Sequence, residues 1–503
     1  MMTDKALKIL FLSPEAVPFA KSGGLADVAG SLPLALKKLG MDVRIVLPYY
    51  RIIKEGDYQI QLSLKGFNVP LGEEHLKSDI YETSLNENVP VYLLDREDLY
   101  DRPNLYGNTV GDYYDNLERF MFFSHGALIL AQYLNFRPDV IHCHDWQTGI
   151  VPALLKGPYK SSPKLSGAST LFTIHNMGYQ GIFPADKLQV TGLSDADFFH
   201  LEGLEYWGKI SLLKAGIVYS DAITTVSPTY SKEIQTREYG MGMEGVLEHR
   251  SDSLYGILNG VDYKKWDPKT DPFIDTRYSP RSMAGKQRCK KALIQDMELD
   301  PSLEKRPLLG IISRLDTQKG LDIIIKVLDK LLAKKIGLII LGSGNSDIET
   351  TIKKSAGQYR DRLGTCFGIN EGLAHKILAG SDMFLMPSQY EPCGLTQMYA
   401  LKYGTVPVVR ATGGLNDTIT SFDRVTGKGN GFKFEAYDPG IFLGALNNAL
   451  SFFKDTKIWK IIMSNGMRED FSWEKSAKAY IRIYRSILRE NRQHGKRKPG
   501  DLF

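Results

Sequence analysis

The chain of 503 residues has few cysteines, no long apolar run and almost no excess charge before its last residues. Its 4 cysteines lie far apart and form no CxxC pair, which argues against a disulfide framework or a zinc ribbon and fits a reducing compartment. The apolar stretches KILFL and FMFFSHGALILAQYL are too short, or too often interrupted by polar residues, to cross a membrane. We therefore expect a cytoplasmic protein with no membrane partner.

The formal net charge of +5 arises at the end of the chain. Residues 481–500 contain 7 Lys or Arg and 1 Glu, a charge of +6, so the rest of the chain sums to −1. Such a run is typical of a solvated helix end, and an anionic partner for this tail is the less favoured alternative. The charge therefore does not predict a nucleic-acid-binding protein.

Length and patterning predict two α/β domains, since 503 residues are more than usually fold around one hydrophobic core. Short apolar runs alternate with helical patterns from KILFLS to DAITTVS, and the alternation starts again at LLGIISR. This pattern is typical of parallel sheets with helices on both faces, so we expect two Rossmann-like, doubly wound domains. We predict domains at residues 1–253 and 254–470, the second opening with a strand at LYGILNGVD, and a C-terminal helix and basic tail at 471–503 that pack back on the first domain.

Two similar segments, SGGLAD at residues 22–27 and TGGLND at residues 412–417, each lie between a strand pattern and a helix pattern. Ligands bind at such loops in open parallel sheets, so a shared role is favoured over coincidence. Glycine pairs let the backbone approach a ligand, and the N–H groups of the following helix suit a phosphate or a sugar oxygen. Lys21 adds a charge, but KSGG matches neither the Walker pattern nor GxGxxG and alone is a weak signal.

Charged side chains follow two strand patterns of the second half. Arg314 and Lys319, in SRLDTQKG, could hold a diphosphate and neutralise a leaving group without a metal, although an exposed basic loop is the alternative. Glu391, in PSQYEPCG, could accept hydrogen bonds from vicinal hydroxyls, or it could simply favour its own helix N-terminus.

The segment HCHDWQT at residues 142–148 looks at first like a metal cluster. On a strand, His142 and His144 share one face with Cys143 opposite, and no second ligand pair follows, so zinc is disfavoured. Asp145 is expected to cap the next helix. His175 and Asn176 end another strand and could line the same cleft.

Six motifs in order, KSGGLAD, HDWQT, TIHN, SRLDTQKG, PSQYEPCGLTQMYALKYG and ATGGLNDT, resemble the bacterial glycogen synthases and plant starch synthases, over about residues 8 to 490. The resemblance implies the GT-B architecture, two Rossmann-like domains facing across a cleft. It also implies retaining transfer of glucose from a nucleotide diphosphate donor, typically ADP-glucose, to the non-reducing 4-hydroxyl of an α-1,4-glucan such as glycogen. No cofactor and no metal are expected.

By this resemblance, the first glycine pair contacts the donor phosphates and the transferred sugar, and the two cations of SRLDTQKG hold the diphosphate from the other side. The loop after Pro392 would hold the glucose and phosphates through its backbone. The expected catalytic residues are Lys21, His175, Arg314, Lys319 and Glu391. The expected substrate-binding residues are Ser22, Gly23, Gly24, Asp27, Asp145, Asn176, Asn259, Cys393, Gly394, Leu395, Thr396, Thr412, Gly413 and Gly414.

Two residues depart from the patterns of such enzymes. Ser22 stands where the family usually has Thr. Tyr399 stands where many retaining GT-B enzymes carry a second glutamate, and the bacterial synthases also lack that glutamate. With no committed nucleophile, we expect the glucan hydroxyl to attack on the face that the nucleotide leaves, with a phosphate oxygen taking the proton. Gly24→Val and Leu25→Asp are expected to impair activity beyond any loss of folding.

Alternatives from other classes remain. A UDP-glucose donor is open, because base selectivity depends on packing around the ring. A catalytically inactive glucan-binding relative would be expected to have lost some of the charged residues, and all are present. A nicotinamide oxidoreductase is disfavoured because KSGGLAD lacks the third glycine spacing and no ribose-binding acid follows the next strand.

Overall fold

The computed structural model describes residues 6–86, 88–108 and 110–494, which form two compact units. The first unit contains the chain up to Val226, Ser231–Gly260 and the chain from Trp473 onward. The second unit contains Ser227–Tyr230 and Val261–Ser472. The predicted boundary at residue 254 was wrong, because Leu254–Gly256 pairs with the strand Ala222–Thr225 of the first unit instead of opening the second.

A nine-stranded sheet forms the centre of the first unit, in the strand order β14-β13-β9-β8-β1-β2-β5-β4-β3. The strands of this unit are β1 (Lys8–Leu12), β2 (Asp42–Pro48), β3 (Gln61–Leu71), β4 (Glu74–Leu85), β5 (Val89–Asp95), β6 (Gly107–Asn108), β7 (Gly111–Asp112), β8 (Val140–His144), β9 (Ser169–Ile174), β10 (Ile182–Pro184), β11 (Glu205–Tyr206), β12 (Lys209–Ser211), β13 (Ala222–Thr225) and β14 (Leu254–Gly256).

The central strands of this sheet are parallel, as predicted, but one edge is not. β3 and β4 form a long antiparallel hairpin, and β4 also pairs antiparallel with β5. β8 and β9 are buried at every position, which explains their continuous apolar patterns. Most residues of the two hairpin strands are exposed or partly exposed, with a few buried ones such as Phe67, Val69 and Ile80, and the sequence analysis did not identify these strands.

Helices connect these strands. They are α1 (Gly24–Lys38), α2 (Arg51–Lys54), α3 (Glu97–Tyr100), α4 (Asn116–Tyr133), α5 (Val151–Lys156), α6 (Asp195–Phe198), α7 (Leu212–Tyr219), α8 (Pro228–Glu233) and α9 (Glu244–His249). α4 is the most deeply buried of the long helices, and most of its side chains are covered.

The second unit contains one parallel six-stranded sheet with the order β17-β16-β15-β18-β19-β20. Its strands are β15 (Leu308–Ile312), β16 (Gly337–Gly342), β17 (Leu363–Phe367), β18 (Met383–Met386), β19 (Val406–Arg410) and β20 (Phe432–Phe434). Its helices are α10 (Ala284–Asp296), α11 (Leu321–Leu332), α12 (Ser346–Gln358), α13 (Glu371–Gly380), α14 (Thr396–Lys402), α15 (Gly413–Thr418), α16 (Pro439–Phe453) and α17 (Thr456–Arg468).

α11 shows why the sequence forms these layers. Leu321, Ile324, Leu328 and Leu331 recur at helical spacing, are all buried and belong to the main core of the second unit. An amphipathic helix of this kind is stable only where its apolar face meets a sheet or another helix. Among the described residues, no helix has both the length and the apolar character needed to cross a membrane.

A last helix, α18 (Trp473–His494), returns to the first unit. The Tyr484 hydroxyl lies 2.8 Å from His142 Nδ1, and Asn491 Nδ2 donates to Ser169 Oγ at 2.8 Å. The basic tail predicted at the end of the chain lies, from residue 495 on, outside the described residues.

Candidate functional site

The first glycine pair lies at the start of α1, beyond the carboxyl end of β1. α1 begins at Gly24, with Gly23 as its N-cap residue, so only Ser22 and Gly23 of the predicted loop segment precede the helix. Around both glycines the structure is open: a Cβ atom added to either would meet nothing within 4 Å. The glycine pair therefore lies where the loop after β1 meets the helix, and the rest of the segment SGGLAD forms the first helical turn.

A buried carboxylate lies under this loop. Glu15 Oε2 accepts hydrogen bonds from the backbone N–H groups of Ser22 and Gly23, while Glu15 Oε1 accepts from the Ser22 hydroxyl at 3.0 Å and the Tyr106 hydroxyl at 3.1 Å. Burial raises the pKa of Glu15, and these hydrogen bonds act against the shift. These two N–H groups, which precede the first residue of α1, are therefore engaged by the protein itself.

Lys21 and Asp27, both predicted site residues, contact each other. Lys21 Nζ donates to both oxygens of Asp27 at 2.8 and 2.9 Å. The Lys21 side chain is half-exposed, at 52%. The pair is therefore well solvated, and Lys21 can exchange Asp27 for another anion at little cost.

Asp145 does not cap the following helix as predicted. Its side chain makes no capping bond, and Oδ1 instead accepts from the backbone N–H of His175 at 2.7 Å, across the pair β8 and β9. Asp145 is also one of the few non-glycine residues with a positive φ, at 54°. This strain at a strand end is typical of a functional position. Burial raises the pKa of Asp145 to about 7.

His175 is a neutral ring at physiological pH, because burial lowers its pKa to about 3. Its Nε2 lies 3.0 Å from His144 Nδ1, and the pKa of His144 is also lowered well below its usual value by burial. His144 Nε2 is buried and has no hydrogen-bond partner among the described residues. A buried N–H group without an acceptor costs more free energy than a buried, unprotonated ring nitrogen without a donor. We therefore assign the His144 proton to Nδ1, which faces His175, and leave Nε2 unprotonated. His175 then accepts at Nε2 and presents Nδ1–H as a donor.

His142 and His144 share one face of β8, as predicted, with ring centroids 4.0 Å apart. Both rings have protein partners: His142 Nε2 lies 2.6 Å from Thr173 Oγ1, and His144 contacts His175. In the part of the chain that the structure describes, no three His, Cys, Asp or Glu side chains are placed to hold a metal ion.

Asn259 follows β14 at the same edge of the sheet. Its side chain is buried, and within the described ranges its Oδ1 accepts no hydrogen bond. Buried polar atoms without a partner are rare in folded proteins, and one at the carboxyl end of a parallel sheet is a candidate ligand contact. Asn176, also predicted, accepts from Gly178 N–H through Oδ1 at 2.9 Å.

The charged residues of the second unit lie beyond the adjacent strands β15 and β18. Lys319 Nζ donates to Glu391 Oε2 at 2.7 Å, and the side chains are 18% and 6% exposed. Arg314 is half-exposed and contacts Asp316 at 2.8 Å and Gln318 Oε1 at 2.7 Å. The structure therefore joins Lys319 and Glu391, which the sequence analysis treated as separate, into one partly buried ion pair.

The second glycine pair packs against the loop that contains Glu391. Gly413 and Gly414 begin α15 after Thr412, and Gly414 N–H donates to the carbonyl oxygens of Glu391 and Pro392 at 3.2 Å. A Cβ atom on Gly413 would lie 2.0 Å from the Glu391 oxygen, and one on Gly414 would lie 2.1 Å from the Cys393 oxygen. This pair therefore positions the Glu391 loop, whereas the first pair borders open space.

The backbone from Cys393 to Thr396 leads directly into α14. Gly394 has φ +68°, and Gln397 Nε2 donates to the carbonyl oxygens of Cys393 and Gly394. α14 then begins at Thr396, with Leu395 as its N-cap residue. This arrangement directs the start of the helix toward the carboxyl end of the sheet, as predicted.

Each unit thus gathers its predicted residues at the carboxyl ends of its strands. Sequence reasoning missed Glu15, Tyr106 and His144. Glu15 could have been found, because it is the one acidic residue between β1 and the glycine pair. Tyr106 reaches Glu15 from a segment 91 residues away, and no local pattern reports such a contact.

Asp145→Asn is expected to change how stability depends on pH. The folded protein holds the Asp145 proton up to about pH 7, while an unfolded chain releases it near pH 4. This group therefore lowers the free energy of unfolding as the pH rises between those values, by at most ~1.4 kcal/mol per pH unit. The amide keeps the acceptor for His175 N–H but cannot ionise. The melting temperature of Asp145→Asn minus that of the wild type should therefore increase by a few degrees between pH 5 and pH 8. A difference in melting temperature that is constant with pH would contradict this.

Two family models and several curated relatives match the chain. A family model described as the starch synthase catalytic domain matches residues 8–249, and one for glycosyl transferases group 1 matches residues 296–456. The glycogen synthase of Koribacter versatilis is 45% identical over 95% of this chain and 98% of its own, and that of Geotalea daltonii is 45% identical over 96% and 99%.

A solved structure is similar over almost the whole chain. It is the catalytic domain of starch synthase IV from Arabidopsis thaliana, bound to ADP and acarbose, with a TM-score of 0.90 and 33% identity over 96% of this chain and 100% of that one. This match confirms the prediction of two Rossmann-like domains of the GT-B class. The chain belongs to the family of glycogen synthases and starch synthases, which are glucosyltransferases.

Proposed function

We propose that this protein transfers glucose, with retention of configuration, from ADP-glucose to the non-reducing 4-hydroxyl of an α-1,4-glucan, and that it needs no metal. The observation that carries the proposal is the partly buried ion pair of Lys319 and Glu391, in the same region as the half-exposed Arg314, at the carboxyl ends of two adjacent parallel strands. Open parallel sheets bind nucleotides at this edge.

Two cations are proposed to hold the diphosphate of the donor. Arg314 offers a planar fork that matches phosphate oxygens, and its present partners are exposed loop residues that a phosphate can displace. Lys319 is held in one orientation by Glu391, so it is positioned before the donor arrives. Both would stabilise the negative charge that develops on the leaving diphosphate.

The residues of the first unit are proposed to bind phosphate and sugar groups. Lys21 would give up Asp27 for a phosphate, and the open space beside Gly23 and Gly24 would admit the sugar. His175 would donate from Nδ1 to a sugar hydroxyl, since its ring is neutral. Asn259 would supply the acceptor Oδ1 that the protein leaves unpaired within its described residues.

The reaction is proposed to occur on one face of the sugar. The bond from the anomeric carbon to the donor phosphate breaks, and the glucan 4-hydroxyl attacks the same face. Its proton passes to the leaving phosphate oxygen, so no protein base is required and the configuration is retained. A neutral His175 and an Asp145 protonated near neutrality fit this scheme, because neither is needed as a strong base.

The adenine base is proposed by analogy with the Arabidopsis relative, whose structure contains ADP. The test is the release of nucleoside diphosphate when purified protein meets glycogen with ADP-glucose, and separately with UDP-glucose, in excess EDTA. Release with ADP-glucose alone is expected. Equal or greater release with UDP-glucose would contradict the proposal that ADP-glucose is the preferred donor. If EDTA abolished the release and Mg²⁺ restored it, the metal-free proposal would be overturned.

A further inference from the structure

An exposed tryptophan lies at the tip of a small sheet in the first unit. β10, β12 and β11 form this three-stranded antiparallel sheet, and Trp207 and Gly208 are the two residues between β11 and β12. The Trp207 side chain is 84% exposed. Of the 5 tryptophans, all within the described residues, it is the one that lies open to solvent.

The backbone of this tip is unfavourable for tryptophan. Trp207 and Gly208 have φ values of 53° and 73°, as in the type I′ turns that join two strands through two residues. Asn, Asp and Gly are preferred at the first of these positions, and a bulky residue there is strained. The side chain obtains no burial in return, so folding alone does not account for a tryptophan here.

A partly buried tyrosine and two exposed apolar side chains belong to the same region of the first unit. Tyr206 precedes Trp207, with the two rings 6.4 Å apart, and the Tyr206 hydroxyl donates to the carbonyl oxygen of Met241. Gln180 Nε2 donates to that same oxygen at 3.0 Å, and Tyr179, which is 54% exposed, directly precedes Gln180 in the chain. Met241 itself is exposed and has a φ of 50°. We define the aromatic patch as Tyr179, Tyr206, Trp207 and Met241.

The aromatic patch continues from the candidate sugar site. Tyr179 follows Asn176 by three residues and donates its backbone N–H to the Asn176 carbonyl oxygen at 3.3 Å. A polymer that enters the site near His175 and Asn176 would therefore extend over this surface. Exposed rings bind the apolar faces of pyranose sugars, and the four side chains of the patch carry no charge, although Glu205 borders them and its Oε1 accepts from Gly208 N–H at 2.6 Å.

We propose that the aromatic patch, with Trp207 at its centre, binds the glucan acceptor beyond the sugar that reacts. This inference rests on the proposed function for the identity of the polymer. The patch holds the chain, and the transfer chemistry stays at the site. Its loss should therefore raise the KM for the glucan and leave kcat near the wild-type value.

Trp207→Asn tests the proposal, because asparagine is the better residue for this turn. The variant is expected to melt at the wild-type temperature or above. Its KM for glycogen and for maltoheptaose should rise about three- to tenfold, the scale of one lost aromatic contact. The KM for the nucleotide sugar should not change. As a control, Tyr133→Ala removes another exposed ring of the first unit, on α4, and should leave the glucan KM unchanged.

A direct binding measurement separates this inference from the proposed function. Acrylamide should quench the fluorescence of Trp207 in the full protein, and maltoheptaose should protect it without any donor present. Protection with no detectable glucose transfer would support the patch while the proposed function failed. Absence of protection, together with an unchanged glucan KM in Trp207→Asn, would overturn the inference.

Discussion

Lys319→Ala is expected to lower kcat about a hundredfold or more, the scale of losing one preorganised donor to a developing charge. Lys319 is the cation nearest to the Glu391 carboxylate, at 2.7 Å, and only 18% of its side chain is exposed. Its removal takes away a proposed phosphate contact and leaves Glu391 buried without its cation. We therefore expect a lower melting temperature as well, and kcat should be measured well below it.

Arg314→Ala separates chemistry from stability in the same loop. Arg314 is half-exposed and contacts its loop neighbours Asp316 and Gln318, so we expect an unchanged melting temperature and again a roughly hundredfold lower kcat. The matched control is Lys326→Ala, which removes an exposed lysine from α11, and its kcat should stay near the wild-type value. Near-normal turnover in both Arg314→Ala and Lys319→Ala would rule out the phosphate clamp.

The two glycine pairs are expected to respond in opposite ways to added side chains. Gly24→Val should keep the fold, because nothing lies within 4 Å of an added Cβ, yet lower kcat/KM by as much as about a hundredfold by displacing the sugar. Gly414→Ala should destabilise the second unit by roughly 2 kcal/mol or more, because its Cβ would lie 2.1 Å from the Cys393 oxygen.

The measurements are the melting temperature and kcat/KM of each variant, with Gly245→Ala as a control glycine in open space on α9. An active Gly24→Val enzyme would show that the open space is not used by a substrate. A fully stable Gly414→Ala protein would show that the Glu391 loop can move aside. Leu25→Asp, proposed from the sequence, does not make this distinction, because Leu25 is buried and a charge there would disrupt the core.

Most of the fold could be predicted from its buried strands. β2, β8, β15 and β19 are short apolar runs followed by helical patterns, so period and composition both identify them. The edge hairpin β3 and β4 was missed because half of its residues face water and its polar pattern matches a loop. The domain boundary was misplaced because β14 has only three residues, and its pairing with β13, which the sequence does not report, decides that it belongs to the first unit.

Motifs located the site but not its internal contacts. The positions of Lys319 and Glu391 followed from strand ends, yet their ion pair joins residues 72 positions apart, which only the packing of β15 beside β18 decides. The similar glycine pairs at residues 23–24 and 413–414 have different surroundings, since one borders open space and the other contacts the backbone of a loop. Sequence similarity predicted the shared helix start and could not predict this difference.

The most direct test of the central claim is the configuration of the bond that the protein makes. ADP-glucose labelled with ¹³C at the anomeric carbon, with maltoheptaose as acceptor, would show the new linkage by NMR. We predict an α-1,4 bond at the non-reducing end of the acceptor, formed in excess EDTA. A β-configured product, or label released only as free glucose, would contradict retaining transfer to a glucan.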